Sequence, residues 1–182
     1  MKKAFILLTT FSLVVFLTSF LPQKHQIILD KTPKTGFKVG NMAPDFELYT
    51  PDSTLVKLSS LRGHMVLVEF WATYCKGCRY ANKQLRPIYD KYHEKKFTNA
   101  TGFNIISISL DTDRQRWIDG IKADSIQYTI NVSDLKGFNS KVVKDYNVGG
   151  LPLRFLIDGN GIIIMDWHDR LEPTLEQYLF KE

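Results

Sequence analysis

The sequence predicts an α/β domain in which a mixed central sheet is flanked by helices. Three observations carry this. Apolar, β-branched runs alternate with amphipathic stretches along the chain, the pattern of strands separated by helices. The apolar run Val66–Ala72 passes directly into Cys75-Lys76-Gly77-Cys78 and then into a stretch where Tyr80, Leu85, Ile88, Tyr89 and Tyr92 recur at helical spacing. The chain closes with two apolar runs around Asp158-Gly159-Asn160-Gly161, followed by a short amphipathic segment, which reads as a hairpin and a final helix.

The chain begins Met1-Lys2-Lys3 and is then apolar from Ala4 to Leu21. Two lysines ahead of such a run fit the first two regions of an export signal. No Ala-x-Ala cleavage site follows, so residues 1–21 are read as a signal peptide or an uncleaved signal anchor. Residues 22–38 are polar, contain Pro22, Pro33 and Gly36, and are read as a linker. Residues 39–182 then form one domain, with no repeats or low-complexity segments. The net charge of +5 falls to +3 once Lys2 and Lys3 are set aside, and the remaining charges are scattered. No nucleic-acid partner is expected.

In order, residues 46–58 read as a hairpin turning at Pro51-Asp52-Ser53, and Leu58–Gly63 as a brief helical turn. Met65–Ala72 is the central strand and 76–95 a long helix, with Pro87 expected to kink it or mark a new turn. Phe103–Leu110 is a second buried strand. Asp111-Thr112-Asp113 can cap a helix over Arg114–Lys122. Tyr128–Val132 is a short strand and Asp134–Asp145 one helix holding Phe138, Val142 and Val143. Gly149-Gly150-Leu151-Pro152 breaks the chain before strands Leu153–Ile157 and Ile162–Trp167. Pro173 opens a last helix, Thr174–Lys181.

Cys75 and Cys78 are the only cysteines. In an exported protein a structural disulfide is the default reading of two cysteines. A bridge across two residues, however, closes too small a loop to stabilise the fold much, so the spacing argues for chemistry. Cys75 falls at a helix N-terminus, where free N–H groups and the helix dipole favour a thiolate, and Lys76 adds a positive charge. One Cys-x-x-Cys supplies only two zinc ligands and no second pair follows; no metal is expected. His25, His64, His93 and His168 show no ligating spacing, and each reads as a surface residue. Trp117, Trp167 and the phenylalanines read as core. Glu69, inside an apolar strand six residues before Cys75, is a buried carboxylate that needs a reason; a group of raised pKa that takes and returns the Cys78 proton supplies one. The alternative is a partly exposed face or a pairing with lysine.

The residues Phe70-Trp71-Ala72-Thr73-Tyr74-Cys75-Lys76-Gly77-Cys78 resemble the active site of the thioredoxin superfamily, and Gly149–Pro152 its cis-proline loop. Val39–Leu48, Leu58–Gly63 and Phe155–Gly161 resemble, more narrowly, exported thioredoxin-like proteins of the TlpA/ResA type. The resemblance covers 39–182 and implies a thioredoxin-like fold with an N-terminal β-hairpin extension. It implies a thiol-disulfide oxidoreductase, periplasmic or on the outer face of a bacterial cytoplasmic membrane, that reduces protein disulfides through a Cys75/Cys78 dithiol with no cofactor. Partners would be protein disulfide substrates and a membrane-bound or soluble electron donor, with residues 4–21 a candidate membrane anchor. Cys75, Cys78 and Glu69 would be catalytic. Trp71, Tyr74, Lys76, Gly77, Leu151 and Pro152 would meet substrate. Tyr74 replaces the family's usual second tryptophan, Lys76-Gly77 its usual Gly-Pro or Glu-Pro, and Ala81 and Lys83 stand where many relatives have an acidic residue and a proline. These departures weaken a transfer of the narrow role in cytochrome c maturation. Two other readings are an exported copper carrier, since thiolates suit Cu(I), and a peroxiredoxin. The second needs a threonine three residues before its reactive cysteine, where this chain has Ala72 before Cys75.

Overall fold

The computed structural model describes residues 32–166 and 170–181. The expected signal or anchor, most of the expected linker, and His25, Trp167 and His168 lie outside them. Pro33 onward forms one compact unit. Among the described residues, seven strands and four α-helices follow in the order β1 (Glu47–Tyr49), β2 (Leu55–Lys57), β3 (Met65–Trp71), α1 (Lys76–Tyr92), β4 (Phe103–Ser109), α2 (Arg114–Asp124), β5 (Ile130–Val132), α3 (Lys141–Asp145), β6 (Leu153–Ile157), β7 (Ile163–Met165) and α4 (Leu171–Tyr178). β1 and β2 form the separate antiparallel hairpin expected ahead of the domain, with Leu48 opposite Val56. The main sheet has the order β5-β4-β3-β6-β7. β3, β4 and β5 run parallel, and β6 and β7 are antiparallel to their neighbours.

All seven residues of β3 are buried, because both faces of the sheet are covered. Val66, Val68, Phe70 and Ala72 pack with the hairpin and with Val142 and Val143 of α3. On the other face, Met65 and Leu67 meet Leu85 and Tyr92 of α1 and Leu171 and Leu175 of α4. Trp71 meets Cys78 of α1 and Trp117 and Ile121 of α2. The period-2 alternation of the strand thus assigns Glu69 to the face carrying α1 and α2.

Several expectations needed correction. The segment Asp134–Asp145 is not one helix. It is a 3-10 turn at Gly137–Asn139 followed by α3: Leu135 adopts a left-handed φ of 57°, which an α-helix does not accommodate, and Ser140, with ψ of 142°, separates the turn from α3. Phe138, expected in the core, is exposed, as is Phe180. α1 stops at Tyr92 and continues past Pro87, which is exposed. Tyr80 is exposed, so the buried stripe of α1 is Cys78, Asn82, Leu85 and Tyr92. α4 starts at Leu171, with Pro173 in its first turn, where no N–H is needed. His64 and His93 are half-buried; the His64 ring meets the Thr101 carbonyl and His93 stacks on Tyr89. Of the segment expected as linker, Lys34 and Gly36 bond with Met42; just beyond it, Gly40 and Asn41 bond with Ile163 on the edge strand.

Candidate active site

The strand–helix junction is built by local chemistry. Ala72 is buried and Cys75 N–H donates to its carbonyl at 3.1 Å, which turns the chain out of the sheet. Cys75 is extended and caps α1: its Sγ accepts from Cys78 N–H at 3.1 Å. A sulfur at this position receives a free helical N–H and the positive end of the dipole. Cys75 and Cys78 are joined as a disulfide. Cys78 is fully buried and Cys75 is half-buried, so only the first is shielded from a partner by α1.

Residues before the cysteines are pinned by Asp111. Its carboxylate is buried and accepts from Thr73 Oγ1 at 2.6 Å, Thr73 N–H at 3.1 Å and Ser109 Oγ at 2.8 Å. Sequence reasoning assigned Asp111 to a helix cap; Asp113 makes that cap alone, accepting from Arg116 N–H at 2.7 Å. Gly120 of α2 leaves the room that Thr73 fills: a Cβ there would lie 2.3 Å from Thr73 Cγ2 and 3.3 Å from Trp71.

The Gly149–Pro152 loop arrives from the other side of the chain. The Leu151–Pro152 peptide is cis. A Cβ built on Gly77 would be 3.7 Å from Pro152 Cδ, and Cys75 and Leu151 pack on the same cluster with Trp71 and Cys78. Around the cysteines Tyr74, Lys76, Gly77 and Pro152 are exposed and Leu151 is half-buried. Trp71 is the exception among the residues expected to face substrate. It is fully buried behind Cys78, because its position on β3 points under α2 rather than out of the junction. Among the described residues, no group of three His, Cys, Asp or Glu side chains is placed to hold a metal ion.

Glu69 is fully buried and pairs with arginine, not lysine. Arg154 lies opposite it on β6, and its Nη2 and Nε donate to Glu69 Oε1 at 2.6 and 3.0 Å. Ser107, its neighbour on β4, approaches Oε2 at 3.5 Å. Burial pushes the Glu69 carboxyl above the ordinary carboxylate value, Arg154 and Ser107 pull it back, and Asp124 adds a smaller upward push. Asp124, at the end of α2, is itself buried between Arg79 and Asn82 of α1, whose donors reach it at 2.5 and 3.0 Å. Arg154, Asp124, Arg79 and Asn82 were not singled out from the sequence, and Asp111 was singled out only as a helix cap. Polar residues at buried helix positions and opposite a buried acid show themselves only once register is known.

A family model for the AhpC/TSA family matches residues 39–165. The chain belongs to this family. Within it, the chain is 29% identical over 149 residues to the thiol-disulfide oxidoreductase ResA of Bacillus cereus, covering 81% of this chain and 80% of that one. Among solved structures it is similar to the C-terminal domain of a Bacteroides thetaiotaomicron protein assigned as a thiol-disulfide oxidoreductase, at 30% identity and a TM-score of 0.69 over 78% of this chain and 96% of that one. The thioredoxin domain of a thiol-disulfide oxidoreductase from Bacteroides vulgatus matches at 26% identity and a TM-score of 0.66, covering 77% and 94%. This AhpC/TSA-family chain therefore has the thioredoxin-like fold, is of the TlpA/ResA kind, and is a thiol-disulfide oxidoreductase. The position three residues before its first cysteine is the buried Ala72, and the adjacent Thr73 is bound to Asp111.

Proposed function

We propose that the protein is exported and reduces disulfides in other proteins. The observation that carries the reaction order is the asymmetry of the pair: Cys75 caps α1 beside cis-Pro152 and is partly accessible, while Cys78 is sealed. The Cys75 thiolate attacks a substrate sulfur. The substrate S–S bond breaks, a mixed disulfide with Cys75 forms, and one substrate thiolate leaves and is protonated from solvent. Cys78 then gives its proton to Glu69 and attacks Cys75 Sγ. The protein disulfide forms, the second substrate thiolate leaves and takes the proton, and two electrons have passed to the substrate. An external dithiol donor restores the reduced pair. Tyr74, Lys76, Gly77 and the Leu151–Pro152 backbone form the surface that receives the substrate.

The residue pattern of 1–21 supports export, either cleaved or held in the membrane; resemblance to ResA supports reduction as the direction and an electron donor at the membrane. The experiment is trapping. With insulin as the disulfide substrate, Cys78→Ala should give a covalent adduct on a non-reducing gel that dithiothreitol releases, and Cys75→Ala should give none. An adduct through Cys78 in the second variant, with none in the first, overturns the order. A redox equilibrium against glutathione should place the couple at the reducing end, and a strongly oxidising couple overturns the direction.

A further inference from the structure

Arg154, Glu69, Ser107 and Asn131 form a polar row across four strands, in register as Arg154–Glu69, Glu69–Ser107 and Ser107–Asn131. Directly opposed residues share a face, so the row lies under α1 and α2, on the side of the sheet where Trp71 packs against Cys78. Within it the two oxygens of Glu69 are not equivalent. Arg154 Nη2 and Nε both reach Oε1, at 2.6 and 3.0 Å, whereas among the described residues Oε2 has only the Ser107 hydroxyl at 3.5 Å, the far limit of a hydrogen bond.

We propose that Arg154 is a positioning residue: it locks Oε1 of Glu69 and leaves Oε2 as the atom that takes the Cys78 proton. This rests on the proton-accepting role of Glu69 proposed above. The physical need is plain. A carboxyl group sealed in an apolar layer holds its proton and cannot act as a base. A guanidinium forked onto one oxygen favours the charged form and fixes the rotamer. Arg154 can supply this because its side chain is 22% exposed while that of Glu69 is 0%, so the arginine keeps part of its hydration.

The other groups facing Glu69 do not replace it. Asp124 of α2 pushes Glu69 upward, but Arg79 of α1 sits on Asp124 and tempers that charge. Tyr128, between α2 and β5, is pushed up to about 12 by burial and by Glu69 and stays neutral at working pH, with the Arg86 guanidinium over its ring at 5.0 Å. Asn82 and Asn131 do not titrate. Arg154 is therefore the cation bonded to the Glu69 carboxylate.

The test uses the reduced full chain mixed with an excess of the symmetrical disulfide of thionitrobenzoate. This probe releases one coloured thiolate when Cys75 attacks and a second when Cys78 resolves, so the two steps are read separately by stopped flow from pH 5 to 9. In the wild type the second step should accelerate as Glu69 ionises. Arg154→Gln should move that midpoint upward by about one pH unit or more, which slows resolution roughly tenfold at a fixed pH below it, while the first step keeps its rate. Arg154→Lys, with the charge but not the fork, should fall between the two, and Glu69→Gln should abolish the midpoint and slow resolution across the range. If Glu69→Gln abolishes the midpoint and Arg154→Gln leaves it in place, the positioning role is overturned and that of Glu69 stands. If Glu69→Gln keeps the wild-type midpoint, the Glu69 reading itself fails. Should Arg154→Gln not fold, Arg154→Lys decides: an unshifted midpoint there overturns the inference.

Discussion

Gly77, in the first turn of α1, stands against Pro152, at the end of the cis peptide that enters β6; a Cβ on the glycine would be 3.7 Å from the proline Cδ. That separation is ordinary van der Waals contact. Gly77→Ala should therefore keep insulin reduction within about twofold and leave stability equal or higher, since glycine inside a helix costs roughly 0.5–1 kcal/mol relative to alanine. Gly77→Phe projects a ring over Pro152 and the exposed edge of Cys75. It should slow insulin reduction at least tenfold with an unchanged urea midpoint. A Gly77→Phe enzyme of wild-type rate would mean that substrate does not approach through this gap.

Asp111 and Thr73 make a second cross-chain link, and it holds the turn that presents Cys75. Asp111→Ala removes a buried acceptor of three hydrogen bonds and strands the Thr73 N–H and both hydroxyls. Bonds to a charged acceptor contribute about 1.5–3 kcal/mol each, and buried donors left unmet add to the loss. A loss of about 3 kcal/mol is expected in urea unfolding, together with a lower rate of Cys75 attack on a small disulfide, because the cap geometry of α1 loosens. Thr73→Val, which keeps the shape and removes one donor, should lose about half as much. Equal stability of Asp111→Ala and wild type would refute the link.

The same residues show what could be read from the sequence. The strand–helix junction was legible because apolar run, cysteine pair and amphipathic stretch are contiguous. The approach of Pro152 was legible only through resemblance, since nothing in the local composition of 149–152 says what it will meet. Glu69 was legible as an anomaly in an apolar strand, but its partner was not. Arg154 reads as an ordinary polar position of β6 until antiparallel register sets it opposite Glu69. Asp124 and Asn82 likewise lie on helices whose polar residues are mostly exposed. The broken helix after β5 was missed for another reason: Leu135 takes a left-handed φ, a conformation its residue type does not announce.

Gly120 has a purely steric role. Its missing side chain lets α2 settle on Thr73 and Trp71, and a Cβ would fall 2.3 Å from Thr73 Cγ2. The threonine cannot rotate away without losing Asp111. Gly120→Ala should thus destabilise the protein by about 1–3 kcal/mol, the usual cost of overpacking, although alanine is the better helix former. A urea midpoint at or above wild type would show that α2 shifts without cost.

Glu69 also gives stability a pH dependence whose sign follows from its burial. Its carboxyl is held above the ordinary value in the folded protein, so between the unfolded and folded values the native state binds more protons than the unfolded one. Its contribution is then fully present below the unfolded value and is lost as pH rises through the folded value. Arg154 narrows that window but burial is the larger effect. Glu69→Gln removes the titrating group while keeping an oxygen for Arg154. Relative to this variant, the wild type should be favoured most at acid pH and should lose ground steadily as pH rises. The comparison is made by urea unfolding of the oxidised proteins, in which neither cysteine titrates, at intervals from pH 4 to 9. A difference between the two proteins that is flat across that range, or that grows with pH, would show that Glu69 does not sit in the folded protein as a carboxyl of raised pKa.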